Sequence, residues 1–225
     1  MSTFPDLMPI DFTQVSVYLV TDPLLSQGRS ELEVVRAAAA GGIRLVQYRD
    51  KRADARTYLE KARALSVICR ELDVWLLLND RVDIAACVDC DGVHLGQNDL
   101  PTAEALQVLG PGKVVGRSTH TVDQARRACA EGAGYINIGP VFPTATKDTP
   151  VVPVGLEMVR AVTAVSTVPV TTMGGINMEN AAQVVSAGAD RVAVVTAITR
   201  APDISRAARD LVDLVDRARR ERGSM

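Results

Sequence analysis

One short pattern recurs along the chain: an amphipathic helix, a stop made of small residues, and a buried apolar strand. Gly41-Gly42 precedes Ile43 to Gln47, Gly132-Ala133 precedes Tyr135 to Ile138, and Gly188-Ala189 precedes Val192 to Val195. Glycine ends helices because it adopts a left-handed backbone that other residues avoid, and a short apolar run behind such a stop is typical of a buried parallel strand. Repetition at nearly fixed spacing predicts a series of βα units.

Eight such units fit into the 225 residues. Strands are expected near 17–21, 43–48, 74–79, 92–96, 114–118, 135–139, 168–173 and 191–196, and helices near 30–40, 54–72, 81–88, 102–109, 121–131, 155–166, 178–187 and 203–221. Eight equal units in series favour a single-domain α/β fold, the (β/α)8 TIM barrel, because a doubly wound sheet seldom uses so many. We expect an N-terminal lead over 1–16 and a barrel catalytic domain over 17–222.

The composition limits the kinds of partner that the protein can bind and the cellular compartment in which it is expected. A formal net charge of -2, with acids and bases scattered through the chain, provides no basic stripe for nucleic acid. No apolar run approaches the ~20 residues that span a bilayer, and residues 1–13 lack the features of a signal peptide. Four scattered cysteines suit a reducing compartment. We therefore expect a cytoplasmic protein without a membrane partner; the sequence does not decide the oligomeric state, and a homo-oligomer is compatible with it.

The loop after the sixth strand is the first candidate site. It reads Gly-Pro-Val-Phe-Pro-Thr-Ala-Thr-Lys from Gly139 to Lys147, and its prolines prevent regular structure. The loop is thus shaped to present Thr144, Thr146 and Lys147, and two hydroxyls beside an ammonium group suit a phosphate. The irregular sequence continues to about Val154, a length that favours a functional lid.

A second phosphate-binding feature is predicted after strands seven and eight. Gly174-Gly175 exposes backbone N–H groups without a Cβ in the way, and Thr196 can add a hydroxyl. Barrels of this kind often hold a phosphate at this place. The alternative is a plain turn that needs glycine for a left-handed backbone.

Two cations and two carboxylates are expected on the opposite side of the same rim. Arg49 and Lys51 follow strand two, Asp80 follows strand three and Asp99 follows strand four. Cations together with paired carboxylates indicate Mg²⁺ bridging to a diphosphate, because Mg²⁺ takes one or two carboxylates, waters and phosphate oxygens. Taken singly, Asp80 could instead cap the next helix, and Asp99 could be a turn residue.

The remaining polar residues of the rim suit a neutral ligand. Gln47 and Asn79 carry amides that offer donor and acceptor in one group to a heterocycle, or that satisfy backbone at the strand ends. His94 alternates along a strand and fits a hydrogen-bonded interior histidine, while His120 could equally start the next helix. Neither histidine has a nucleophile and an orienting acid at recognisable spacing, so covalent catalysis is not expected.

Six motifs in order resemble those of the thiamine-phosphate synthase family. They are Gln47-Tyr-Arg-Asp-Lys51, Leu78-Asn-Asp80, Gly92-Val-His-Leu-Gly-Gln-Asn-Asp99, Gly116-Arg-Ser-Thr-His120, Gly139 to Lys147, and Gly174-Gly-Ile176. The resemblance covers about 17–199. It implies a (β/α)8 transferase of thiamine biosynthesis that joins 4-amino-2-methyl-5-(diphosphooxymethyl)pyrimidine to a thiazole phosphate, plain or carboxylated. The products would be thiamine phosphate and diphosphate, with Mg²⁺ assisting a dissociative substitution.

The resemblance also implies a role for individual residues. Lys51, Ser118 and Lys147 would be catalytic, with Ser118 beside the departing diphosphate, and Asp80 and Asp99 would be the metal ligands. The pyrimidine diphosphate would be held by Gln47, Arg49, Lys51, Asn79 and Lys147, and the thiazole phosphate by Thr144, Thr146, Gly175, Val195 and Thr196. The family commonly has Ser where Thr196 stands and a small apolar residue where Met173 stands. These differences affect packing around the thiazole phosphate.

Two other functions fit the same scaffold. A thiazole tautomerase-like isomerase would bind thiazole phosphate without metal or diphosphate, and Lys51, Asp80, Asp99 and Lys147 argue against it. A non-catalytic phosphometabolite-binding barrel would be expected to carry an effector domain, for which the chain has no room. Small-molecule substrates are therefore the predicted partners.

Overall fold

The computed structural model describes residues 10–144 and 152–223, in which eight parallel strands close into a barrel in chain order. The predicted (β/α)8 barrel is thereby confirmed. The strands are β1 Val17–Val20, β2 Leu45–Tyr48, β3 Trp75–Asn79, β4 Gly92–Leu95, β5 Val114–Thr119, β6 Tyr135–Ile138, β7 Val170–Met173 and β8 Arg191–Val194.

Helices follow the strands and form the outer layer. They are α1 Glu31–Ala40, α2 Ala55–Glu71, α3 Val82–Ala85, α4 Thr102–Leu109, α5 Val122–Ala130, α6 Gly155–Thr163, α7 Ala181–Ser186, α8 Thr196–Thr199 and α9 Ile204–Gly223. The prediction differs at two places. Helix α3 is a single turn, and β8 ends at Val194 because Val195 leaves the extended conformation and Thr196 begins a short helix that was not predicted.

Local sequence accounts for where the helices begin. Ser30 caps α1: its hydroxyl accepts from the Glu33 N–H at 3.3 Å, and the Glu33 carboxylate accepts from the Ser30 N–H at 2.8 Å. This reciprocal pair satisfies two backbone donors that a helix start leaves open. Asp54 and Thr121 cap α2 and α5 through the same kind of side-chain acceptor.

The main core lies between the strands and the helices. Apolar residues of the strands and of the buried faces of the helices form one cluster, which includes Val46 and Leu76 of the strands and Val34 and Leu65 of the helices. Both faces of a parallel barrel strand are covered, which is why all four positions are buried in most of the strands. Among the described residues no helix is both long and apolar enough to cross a membrane.

A second, smaller core fills the amino-terminal end of the barrel interior. Ile10, Phe12 and Val15 pack there against Tyr18 and Tyr135. The Phe12 ring centroid lies 5.2 Å from that of Tyr135, and the backbone oxygen of Phe12 accepts from Arg191 Nε at 2.7 Å. From residue 10 onward, the predicted lead is therefore packed against the barrel and closes its lower end.

Gly116 makes room for an aromatic ring inside the barrel. It pairs with His94 on β4 and with Tyr135 on β6, and a Cβ added at this position would meet the Tyr135 ring at 2.1 Å. The interior is thus fitted around Tyr135, whose side chain is fully buried.

We predict that Gly116→Ala destabilises the fold by roughly 1–3 kcal/mol, because the ring and its neighbours must move to relieve the overlap. The change is measured as a shift in the urea midpoint. Gly223→Ala is the control, since no atom lies within 4 Å of its added Cβ and the same substitution there should leave the midpoint in place. An unchanged midpoint for Gly116→Ala would contradict this account of the interior.

Candidate active site

A cavity of about 530 Å³ opens at the rim formed by the carboxyl ends of the strands. This is the end of a parallel barrel where ligand sites form, because the βα loops meet there. Seven of the residues predicted from the sequence line it: Arg49, Ser118, Thr144, Gly174, Gly175, Val195 and Thr196. The structure therefore brings together residues that are spread over most of the chain.

The loop after β6 is bound to the end of β7. Val141 N–H donates to the Met173 oxygen at 2.9 Å, and Phe142 N–H donates to the Gly174 oxygen at 3.0 Å. Gly174 and Gly175 have φ of 97° and 65°, and a Cβ on Gly175 would meet the Pro143 oxygen at 2.5 Å. Glycine is thus required there both by conformation and by close approach, which agrees with the turn alternative as well as with a phosphate site.

Thr144 lies at the edge of the described part of this loop and lines the cavity. Two of the predicted phosphate-binding residues, Thr146 and Lys147, lie outside the described residues, as does most of the predicted lid to Val154. Their roles remain predictions.

The two predicted metal ligands meet on the opposite side of the rim. The carboxyl groups of Asp80 and Asp99 are in hydrogen-bonding contact, and Lys51 Nζ lies 3.2 Å from Asp80 Oδ2. Burial first, and then the neighbouring Asp99 charge, raise the pKa of Asp80, while Lys51 opposes the shift. Two acidic side chains therefore share this part of the rim, and Lys51 is an ammonium group that partly offsets their charge.

The sequence offered each acid a local structural role, a helix cap for Asp80 and a turn for Asp99, and only the second is observed. Asp80 has a φ of 61° and does not cap α3, whose first turn has no side-chain cap. Asp99 does stabilise a turn, because its Oδ2 accepts from the Gly96 N–H at 2.6 Å. This hydrogen bond fixes the Asp99 carboxylate in position.

The donor set of this acid pair fits a hard divalent cation. Oxygen atoms are the ligands that Mg²⁺ prefers, and the carboxyl groups of two side chains, Asp80 and Asp99, converge here. Within 10–144 and 152–223 no group of three or more His, Cys, Asp or Glu side chains gathers as a metal site. Protein ligands alone would thus leave positions open for substrate oxygens and water, as Mg²⁺ sites with phosphorylated ligands do.

Arg49 is held at the cavity by a partner that the sequence did not point to. The Arg49 guanidinium forms an ion pair with Asp22, whose carboxylate also accepts from the Leu24 N–H at 3.1 Å. The backbone N–H of Arg49 donates to Thr21 Oγ1 at 3.1 Å. Both charged side chains are mostly buried, at 19% and 11% exposure. Asp22 lies two residues after the end of β1, so its place near a strand end was the available signal.

The amides of Gln47 and Asn79, which were predicted to face a heterocycle or the backbone, hydrogen-bond each other. Gln47 Nε2 donates to Asn79 Oδ1 at 2.6 Å, with both side chains buried at the ends of β2 and β3. Ser118 lies across the rim, where its hydroxyl hydrogen-bonds His94 Nε2 at 2.9 Å and its backbone oxygen accepts from Gln97 Nε2 at 2.5 Å. His94 is buried and hydrogen-bonded in the barrel interior, as its alternation along β4 indicated.

Several cavity residues were not predicted. Asn137, Asn177 and Arg200 line it, together with His120, whose role the sequence left open. Asn137 interrupts an apolar strand, which was a usable signal, whereas Asn177 and Arg200 lie two or more residues beyond any strand end. Arg200 directly follows the short helix α8, which the sequence did not predict.

The chain is similar to proteins of one family over most of its length. The sequence model described as "Thiamine monophosphate synthase" matches residues 17–198. A thiamine-phosphate synthase of Chloroflexus aurantiacus is 46% identical over 88% of this chain and 92% of its own, and one of Moorella thermoacetica is 44% identical over 92% and 98%. The solved thiamine phosphate pyrophosphorylase of Pyrococcus furiosus is 36% identical, with a TM-score of 0.83 over 91% of this chain and 97% of that one.

We predict that Asp80→Asn keeps or raises the stability of the metal-free protein, by up to about 1 kcal/mol. One charge of a repelling pair is removed, and asparagine tolerates the left-handed backbone at this position. Addition of Mg²⁺ with inorganic diphosphate should then raise the melting temperature of the unsubstituted protein but not that of the variant.

Asp83→Asn is the matched control for this measurement. Asp83 is exposed on the next helical turn and paired with Arg81, so its variant should keep the response to Mg²⁺ and diphosphate. A melting temperature of Asp80→Asn that falls by many degrees without metal would make Asp80 a structural residue instead.

Proposed function

The chain belongs to the thiamine monophosphate synthase family, and we propose that the rim of its barrel carries out the reaction of that family through the residues described above. The protein is a transferase that forms thiamine phosphate from a pyrimidine and a thiazole precursor. The C–O bond between the pyrimidine methylene and the diphosphate breaks, and a C–N bond to the thiazole nitrogen forms. The observation that carries the assignment of sites is the Asp80 and Asp99 pair with Lys51, next to the amides of Gln47 and Asn79.

The amide pair would hold the pyrimidine. Gln47 and Asn79 offer neutral donors and acceptors in a buried place, which suits an aminopyrimidine better than a charged group. Buried amides also reject ligands that leave them unpaired. The pyrimidine methylene would then point to the acid pair, where the diphosphate is bound.

The leaving group would be held by charge. Arg49, Lys51 and Lys147 would contact the diphosphate, and Asp80 and Asp99 would hold Mg²⁺, which when bound neutralises charge on the diphosphate oxygens. Ser118 would donate a hydrogen bond to the departing diphosphate. The aminopyrimidine ring itself stabilises the cation that remains, so these residues need only lower the energy of the leaving anion and hold the reactants in place.

The thiazole phosphate would occupy the other half of the cavity. Thr144, Thr146 and Thr196 would supply hydroxyls, and Gly175 and Val195 would supply backbone N–H groups to its phosphate. The loop after β6, closing as a lid, would keep water from the cation until the thiazole nitrogen arrives. Arg200, at the same end of the cavity, supports the assignment of an anion to this half.

The broader expectations complete the proposal. Residues 17–222 would form the catalytic domain, with 1–16 as its lead, and the protein would act on small molecules in the cytoplasm, without nucleic acid or membrane partners. A homo-oligomer is compatible with this reaction. A thiazole tautomerase would have no use for the acid pair with its lysine, which is why the transferase is favoured over that isomerase.

We predict that the purified protein releases diphosphate and forms thiamine phosphate when given both substrates and Mg²⁺. Chelation of divalent ions should lower the rate by at least about a hundredfold, because charge neutralisation of a leaving group contributes several kcal/mol. Diphosphate and thiamine phosphate are followed together by chromatography. Undiminished turnover in excess chelator would remove Mg²⁺ from the mechanism while leaving the transferase assignment in place.

A reciprocal pair of variants tests which side of the rim holds which substrate. Lys51→Ala should raise the KM for the pyrimidine diphosphate about tenfold with little change for the thiazole phosphate, because one charge-assisted contact is lost. Thr196→Ala should do the opposite. Steady-state kinetics with each substrate varied in turn gives the four KM values, and the reverse order would exchange the two subsites.

A further inference from the structure

Six side chains form one continuous hydrogen-bonded chain across the interior of the barrel. It runs from Asn79 through Gln47, Tyr18, Tyr135 and His94 to Ser118. Tyr18 Oη hydrogen-bonds Gln47 Oε1, the two tyrosine oxygens are 3.0 Å apart, and Tyr135 Oη lies 2.8 Å from His94 Nδ1. The two ends of this chain are the two parts of the site assigned above to the pyrimidine and to the leaving group.

The middle members of this hydrogen-bonded chain are inaccessible to substrate. Tyr18 and Tyr135 are fully buried, His94 is 4% exposed, and neither tyrosine lines the cavity. Layers of apolar side chains normally fill the interior of such a barrel. A buried polar chain is tolerated only when each member is satisfied, so three polar side chains at this depth call for a reason beyond packing.

Each hydroxyl in this hydrogen-bonded chain has one proton to donate, so all donors along the chain must point the same way. Burial raises the pKa of both tyrosines, so each keeps one proton and donates one bond. In the direction that the structure shows, Tyr18 donates to Gln47 Oε1 and Gln47 Nε2 donates to Asn79, so Tyr135 must donate to Tyr18. His94 Nδ1–H then donates to Tyr135, and the Ser118 hydroxyl donates to His94 Nε2.

The opposite direction uses the same atoms with no change in charge. It needs only rotated hydroxyls, the other tautomer of the neutral imidazole, and turned amides on Gln47 and Asn79. In that direction Asn79 presents its oxygen to the ligand, and His94 donates to Ser118, whose proton is then directed outward. The orientation of the amides at one end and the donor role of Ser118 at the other are therefore linked.

We propose that Tyr18, Tyr135 and His94 are positioning residues through which the amino group of the bound pyrimidine directs the Ser118 hydroxyl toward the diphosphate. This inference rests on the proposed function and deepens it. An exocyclic amino group needs an acceptor, and a departing diphosphate needs a donor. The opposite direction of the hydrogen-bonded chain meets both needs, because Asn79 then presents an acceptor to the amino group and Ser118 donates outward. Binding of the aminopyrimidine therefore favours the arrangement that assists departure of its own diphosphate.

Tyr135→Phe tests the proposal because it removes one hydroxyl from the middle of the chain and keeps the ring that packs against Phe12 and His94. The single-turnover rate of diphosphate release should fall about tenfold, which corresponds to about 1.4 kcal/mol. In a Ser118→Ala background the same substitution should change the rate by less than about twofold, because the chain then has no hydroxyl to direct. An equal loss in both backgrounds, or no loss in either, overturns the proposal.

Binding gives a second measurement that does not depend on turnover. The ratio of dissociation constants for the 4-oxo and the 4-amino pyrimidine diphosphate, measured by calorimetry, should fall about fivefold in Tyr135→Phe, since the amides are freed from the chain. An unchanged ratio overturns the proposal. Activity of the unsubstituted protein is measured first, so that failure of the proposed reaction is distinguished from failure of this coupling.

Two further variants complete the design. Tyr58→Phe is the control, because Tyr58 is a buried tyrosine whose hydroxyl bonds the backbone of Tyr48 and Asn79 outside the chain. Its effect on the rate should be the same with and without Ser118. If Tyr135→Phe does not fold, Tyr18→Phe cuts the chain one link away, and the same non-additivity with Ser118→Ala is expected.

Discussion

The pairing of β8 with β1, in which Val192 lies opposite Val17, joins the two edges of the sheet into a cylinder. All eight strands are parallel, so closure places every carboxyl end on one rim and every βα loop around one opening. Residues far apart in sequence become neighbours by this means alone. Gln47 and Asn79 are 32 positions apart and hydrogen-bonded, and Asp80 and Asp99 meet although they follow different strands.

Closure also divides the interior into two layers of different chemistry. The lower layer is apolar and is sealed by Phe12 and Val15, so it can supply the burial that holds the strands together. The upper layer is polar, and its members satisfy one another rather than water. Tyr135 belongs to both, with its ring in the lower core and its hydroxyl in the hydrogen-bonded chain, and the absent side chain of Gly116 is what lets it lie across the boundary.

The parts that could be predicted from sequence are those set by short-range pattern. The strands, the stops before them and the polar residues just after them follow from apolar runs and glycine, and the topology then assigns them to one rim. Contacts that depend on side-chain reach across the barrel could not be read in this way. Tyr18 and Tyr135 looked like ordinary core residues of apolar strands, and helix α8 was hidden in what resembled the end of β8.

The acid pair shows how the site departs from what would best stabilise the fold. Asp80 is a non-glycine residue in the left-handed region, it is largely removed from water, and it faces a second carboxylate. Left-handed backbone costs of order 1 kcal/mol at such a residue, and burial next to a like charge adds to that cost. The Asp80 side chain does not repay this cost by capping α3, which begins without a side-chain cap. A cation bound between the two carboxylates would offset the burial and the repulsion of like charges. These features of Asp80 are therefore what a ligand-binding role would lead one to expect.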